Sequence, residues 1–253
     1  LSTPASPKPV EPKSILLLGP PGGGKSTLAL QFPQCCILDN DRNMDGPERF
    51  VRSKFKQLSY GYVQITYDDN GEPYPVEQCF DRLMDQISLL RQEVAIRTVV
   101  VDGLTMVNEF IIQKILKTKA VTEMEARHWQ PFKSHMIALL AGRLRSLGKT
   151  IVCTCHETIL EKPDQKNIMN PIVVGYRPSV QGGIIDYFGG FFTDVWRCTC
   201  LAAPAGKSEF KIQTVRDSQS DLKNSMGMPT EILVKEGELA WLKLEPFFSK
   251  SYE

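Results

Sequence analysis

The chain has no excess of charge of either sign: 30 Lys and Arg against 29 Asp and Glu leave a formal net charge of +1 over 253 residues. A global field that draws the protein to nucleic acid or to a membrane surface is thereby excluded, and any contact with a polyanion has to be local. No apolar run approaches the ~18 residues of a membrane-spanning helix, and the stretch Leu1 to Lys13 lacks the apolar centre of a secretory signal. The expectation is a soluble protein with no membrane partner. The seven cysteines are odd in number, and Cys35, Cys36, Cys153, Cys155, Cys198 and Cys200 sit in apolar, strand-like stretches, as reduced buried thiols do. A reducing compartment, the cytoplasm, follows as an expectation. The pairs Cys153/Cys155 and Cys198/Cys200 depart from the Cys-x₂₋₄-Cys spacing of structural zinc sites and are read as small core side chains. Internal repeats and low-complexity tracts are absent too.

What is present is enough apolar material, 42% of residues, for one sizeable core. Residues 1–13, with Pro4, Pro7, Pro9 and Pro12, read as a tail or linker, residues 14–230 as the core domain, and residues 231–253 as a C-terminal tail or packing segment. Ile15 to Leu18 is a continuous apolar run, as in a strand buried on both faces, and Cys35 to Leu38 and Thr98 to Val101 repeat that texture. Lys25 to Phe32 reads as a short helix stopped by Pro33. Val76, Phe80, Leu83, Met84, Ile87 and Leu90 fall at helical spacing on one face. Met106 to Lys117 and Pro131 to Leu147 predict two further helices, the second opening on proline and closing at Gly148. Thr150 to Thr154 is another strand, Tyr62 to Thr66 a further one, and Arg42 to Tyr60 carries no clear pattern. Leu160 to Gly183 reads as loop, and Asp194 to Leu201 with Phe210 to Arg216 as a β-hairpin around Ala203-Pro204-Ala205-Gly206. Strands alternating with helices imply an α/β fold with a mainly parallel sheet flanked by helices, extended by that C-terminal hairpin. Such sheets bind ligands beyond the carboxyl ends of their strands.

The strongest local signal lies at one such end. Gly19-Pro20-Pro21-Gly22-Gly23-Gly24-Lys25-Ser26 fits G-x-x-x-x-G-K-[ST], with a strand before it and the Lys25 to Phe32 helix after it, and Thr27, next along, is counted with the phosphate-binding residues. Glycines let backbone N–H groups curl round a β-phosphate, Lys25 reaches the β and γ oxygens, and Ser26 can ligate Mg²⁺. ATP and Mg²⁺ are the ligands this motif implies. Asp102 closes the Thr98 strand where a buried carboxylate can hold the Mg²⁺ shell opposite Ser26. Asp39-Asn40-Asp41 closes the strand after the P-loop helix, and Asp41 is the first choice, before Asp39, for the general base that orients the attacking water. His156, closing the Thr150 strand, can sense the γ-phosphate and pass its presence to the next segment.

The segments GPPGGGKSTLALQFP at 19–33, ILDND at 37–41, TVVVDGLT at 98–105 and IVCTCHE at 151–157 together resemble the RecA-like P-loop ATPases, and more closely the phage-type nucleotide-binding ATPases of the RecA-like single-strand annealing family. The resemblance spans roughly Ser14 to Arg216. It implies that the catalytic acid falls on Asp41, where RecA has glutamate, and the coupling residue on His156, where RecA has glutamine. It also implies that the segment after His156 touches single-stranded DNA, and Lys162, Lys166, Tyr176 and Arg177 there supply cations and a stacking ring. RecA-like rings and filaments complete each site with a neighbour's basic residue, for which Arg216 is the candidate, with Lys207 and Lys211 behind it. The expected function is an oligomeric, ATP-dependent single-stranded DNA-binding ATPase in recombination, annealing or replication, acting in the host cytoplasm if phage-encoded. The alternative is a nucleotide-switched scaffold with little hydrolysis and no nucleic acid. A small-molecule kinase is disfavoured by the lack of an arginine-rich lid segment.

Overall fold

The apolar runs at the start of the chain become the centre of one sheet. The computed structural model describes residues 12–54, 60–68, 70–163, 171–202 and 208–250. Strands β1 (Ser14–Gly19), β2 (Cys35–Asp39) and β4 (Thr98–Asp102) are buried along almost their whole length. With β3 (Tyr60–Gln64), β5 (Thr150–Lys162), β6 (Ile172–Pro178), β7 (Asp194–Ala202), β8 (Ser208–Gln213) and β9 (Glu231–Lys235) they form, among the described residues, a nine-stranded sheet ordered β3-β2-β4-β5-β1-β7-β8-β9, with β6 paired to β5. From β3 to β7 every neighbouring pair in that order is parallel, and β7-β8-β9 is an antiparallel extension. This is the mixed α/β architecture expected, with a third strand, β9, added to the hairpin.

Helices cover both faces of the sheet. On one, α3 (Val76–Leu90), α4 (Leu104–Lys119) and α5 (Trp129–Ile137) pack on Leu16, Leu18, Val99, Val101, Ile151 and Cys153. On the other, α1 (Lys25–Ala29) and α2 (Asp45–Lys54) pack on Ile15, Leu17, Ile37, Val100 and Val152, together with residues of β8, β9 and α6 (Ala240–Lys250). Trp241 and Phe248 of α6 close on Phe32, with ring centroids 5.1 and 5.8 Å away. Trp241, Phe247 and Phe248 therefore pack, partly buried, against their own chain.

Several boundaries differ from the sequence reading, each for a local reason. α2 was illegible because it buries only Val51, too little to print a period. In α3, Val76 stays 41% exposed and Cys79 takes its place in the core. The stretch read as one helix over Pro131 to Leu147 starts two residues earlier, then widens into a π-helical turn at Ala138–Leu144 and tightens into a 3₁₀ turn before Gly148. The largest correction concerns Leu160 to Gly183. β5 continues to Lys162 and β6 returns antiparallel to it, so most of the described part of that stretch is a hairpin, followed by a 3₁₀ segment at Gly182–Phe191. Its outward-facing apolar residues, Ile159 and Ile172, and its prolines hid the strand signature. β8 ends at Gln213, which leaves Arg216 beyond the strand rather than at its end. Lys207 and the Ala203-Pro204-Ala205-Gly206 turn lie outside the described residues. No helix among the described residues is long and apolar enough to cross a membrane.

Candidate nucleotide site

The C-terminal tips of β1, β2 and β4 and the middle of β5 open into a cleft of about 670 Å³ whose walls include Gly22 to Thr27, Asp41, Asp102, Thr154 and His156. β1 delivers the P-loop to it, and Gly22 and Gly24 turn that loop with φ of +74° and +86°. Gly19 and Gly23 are demanded by packing. A Cβ on either would stand 2.1 or 2.5 Å from the Cys198 carbonyl oxygen of β7, and one on Gly24 would stand 2.7 Å from the Phe210 ring of β8. The antiparallel extension thus presses on the loop from outside and fixes its path.

Lys25 starts α1 and is buried, its Nζ donating to the carbonyls of Gly19 and Pro20 at 2.9 Å each. Burial lowers its pKa, against the pull of Cys198 and Asp102. Ser26, next in the turn, donates its hydroxyl to both carboxylate oxygens of Asp102 at 2.9 and 3.1 Å. Asp102 also accepts from the Thr154 hydroxyl at 2.7 Å, and Thr154 accepts the Gly103 N–H at 2.8 Å. Desolvation dominates this carboxylate: burial pushes its pKa up to about 6, with the Thr154 bond opposing the rise. Thr154 was not singled out in the sequence, since one threonine in an apolar strand carries no signal until β4 and β5 are known to be neighbours.

The two acids of the β2 tip divide their work. Asp39 is fully buried and committed to structure, accepting from the N–H groups of Asp41 and Arg42 and from the Tyr62 hydroxyl at 2.7 Å. Asp41 is partly exposed on the cleft wall, next to Gly103. One oxygen from each of Asp39, Asp41 and Asp102 lies within 4.8 Å of the others. Hard oxygen donors at this spacing, beside the Ser26 hydroxyl, suit a divalent cation such as Mg²⁺. His156 lies opposite, where β5 ends its pairing with β1 at Gly19 and turns away to meet β6. Its Nδ1 is buried and has no hydrogen-bond partner among the described residues, and burial and Lys25 lower its pKa.

A family model described as an AAA domain matches residues 11–224. The chain belongs to that family. No curated protein matches it. The AAA domain is a P-loop nucleotide-binding ATPase domain, and its cleft gathers Lys25, Ser26, Asp41, Asp102 and His156 in one place.

The remaining predicted residues of the AAA domain lie elsewhere. Tyr176 and Arg177 stand on β6, facing a second groove of about 760 Å³, and Arg216 lies on the same groove, ion-paired to Asp221 at 3.0 Å. Arg216 is therefore off the wall of its own nucleotide cleft. Lys162 is exposed at the end of β5, and Lys166 lies outside the described residues. The Arg197 guanidinium lies over the Tyr176 ring at 3.5 Å and holds Glu157 through two bonds of 2.7 and 2.8 Å. Neither partner was picked out in the sequence, because only the fold brings β5 and β7 to either side of β1.

Proposed function

We propose that this AAA domain is an oligomeric, Mg²⁺-dependent ATPase that acts with single-stranded DNA in recombination, annealing or replication, in the manner of the phage-type RecA-like proteins. The observation that carries the hydrolytic part is the direct bond between Ser26 and Asp102 beneath the P-loop, with an Asp41 oxygen within 4.8 Å of the Asp102 carboxylate. Gly22 to Ser26 and Lys25 hold the triphosphate. Ser26 and Asp102 would hold Mg²⁺, which would supply positive charge to offset that on the triphosphate oxygens. Asp41 accepts the proton of the attacking water as its oxygen bonds to the γ-phosphorus and the bond to ADP breaks. His156, with a free buried Nδ1, reports on the γ-phosphate. A neighbouring subunit supplies the missing cation, with Arg216 the candidate because it is exposed and outside its own cleft.

The DNA-binding part rests on the β5–β6 hairpin, which carries Lys162, Tyr176 and Arg177 and continues from His156 on the cleft wall. One observation favours the second reading, a nucleotide-switched scaffold. Arg197 already covers one face of the Tyr176 ring. Phosphate release measured with and without single-stranded DNA separates the two. DNA-stimulated turnover supports the first reading, and nucleotide-dependent assembly without turnover or DNA binding supports the second and overturns the first.

A further inference from the structure

Consecutive residues of β5 line the nucleotide cleft and the 760 Å³ groove. His156 lines the cleft, and Glu157 lines the groove with Tyr176, Arg177, Arg197 and Ser220. In an extended strand neighbouring side chains point to opposite faces, so whatever fixes one constrains the other. Glu157 is fixed firmly: its side chain is 4% exposed, and both its oxygens are held by Arg197.

Arg197 reaches Glu157 from β7. In the sheet β5 and β7 flank β1 on either side, with Gly19 opposite His156 and Leu18 opposite Arg197. The ion pair therefore bridges the last turn of β1 at the foot of the P-loop. The next residue of β7, Cys198, presents the carbonyl that closes on Gly19 and Gly23. From the other side the same guanidinium lies on the ring of Tyr176 in β6. One bidentate pair thus ties the strand carrying His156, the strand that backs the P-loop and the returning strand of the hairpin.

We infer that Glu157 and Arg197 are positioning residues that couple the nucleotide cleft to the β5–β6 hairpin and its groove, so that a γ-phosphate felt at His156 changes how firmly β6 is held. The inference rests on the nucleotide reading of the cleft but not on any ligand of the groove. A bidentate guanidinium–carboxylate pair suits this role because its fixed fork transmits orientation, which a lysine point charge does not.

Amide hydrogen exchange along Ile172–Pro178, with and without Mg²⁺ and a non-hydrolysable ATP analogue, tests it. In the wild-type chain the analogue is expected to change β6 exchange rates about tenfold, a coupling of ordinary allosteric size. In Glu157→Gln, which keeps the shape of the side chain, and in Arg197→Lys, which keeps the charge but loses the fork, the analogue should bind within about threefold of wild type while the β6 response disappears. Persistence of the response in both variants overturns the inference, as does a wild-type chain that binds the analogue with no change in β6. A merely structural pair would lower the melting temperature and leave the β6 response intact. If the wild-type chain fails to bind the analogue, the nucleotide reading falls first and this coupling with it.

Discussion

The Ser26 hydroxyl lies 2.9 Å from a carboxylate oxygen of Asp102, although 76 positions separate the two residues in the chain. Burial raises the Asp102 pKa to about 6 from an ordinary 3.8. The folded, ligand-free protein therefore takes up a proton between about pH 4 and 6 that the unfolded chain does not. Stability from this group is fully present below about pH 4 and is lost as pH rises through about 6, a difference on the order of 2–3 kcal/mol. Asp102→Asn, which cannot ionise, should remove this dependence, so that the melting temperature of wild type relative to the variant falls between pH 4 and pH 7 without nucleotide. Melting curves at the two pH values check it.

The same carboxylate must be ionised to hold Mg²⁺, so binding of the Mg²⁺–nucleotide complex releases a proton below about pH 6. Affinity measured by calorimetry should fall roughly tenfold per pH unit below that point in wild type. In Asp102→Asn the Mg²⁺-dependent part of the affinity should be gone at every pH.

Asp39 and Asp41, two residues apart, should respond differently to the same change. Asp39 is buried and accepts three hydrogen bonds that order the β2 tip, so Asp39→Asn is expected to cost about 1–3 kcal/mol of stability. Asp41 is partly exposed on the cleft wall, so Asp41→Asn should leave stability near wild type while lowering turnover about 10²–10⁴-fold. Denaturant titration alongside phosphate release separates the two effects.

Gly23 occupies a position that the P-loop pattern leaves open, yet a Cβ there would meet the Cys198 carbonyl oxygen at 2.5 Å. Backbone cannot give way as a flexible side chain can, and Gly23→Ala should cost about 1–3 kcal/mol and distort phosphate binding. Gly22 faces open space at φ +74°, so Gly22→Ala should cost only the left-handed backbone strain, about 1 kcal/mol. Melting temperatures and nucleotide affinity of the pair check the contrast.

The parts of this site legible in the sequence are those that short, contiguous patterns encode. The P-loop spacing announces Gly19 to Ser26, and the doubly buried run before Asp102 announces β4. What the sequence withheld depends on which strands are neighbours. Thr154 matters only because β5 lies beside β4, and Cys198 and Phe210 shape the P-loop only because β7 follows β1 in the sheet and β8 follows β7. The Glu157–Arg197 pair reaches across β1 between residues 40 positions apart. The β5–β6 hairpin reads as a loop in the sequence because Ile159 and Ile172 face outward and its prolines mimic a turn-rich segment.

Lys25 is held by two carbonyls of its own loop, each at 2.9 Å, and on the reading proposed here it releases them to reach the triphosphate. Steady-state phosphate release from Mg²⁺–ATP, measured on wild type and Lys25→Ala side by side, tests the nucleotide site most directly. Wild type is expected to turn over and Lys25→Ala to fall at least about 100-fold, the loss of a main electrostatic contact to the transferred phosphoryl group. Equal rates for the two proteins would contradict the assignment of this cleft as the site of hydrolysis.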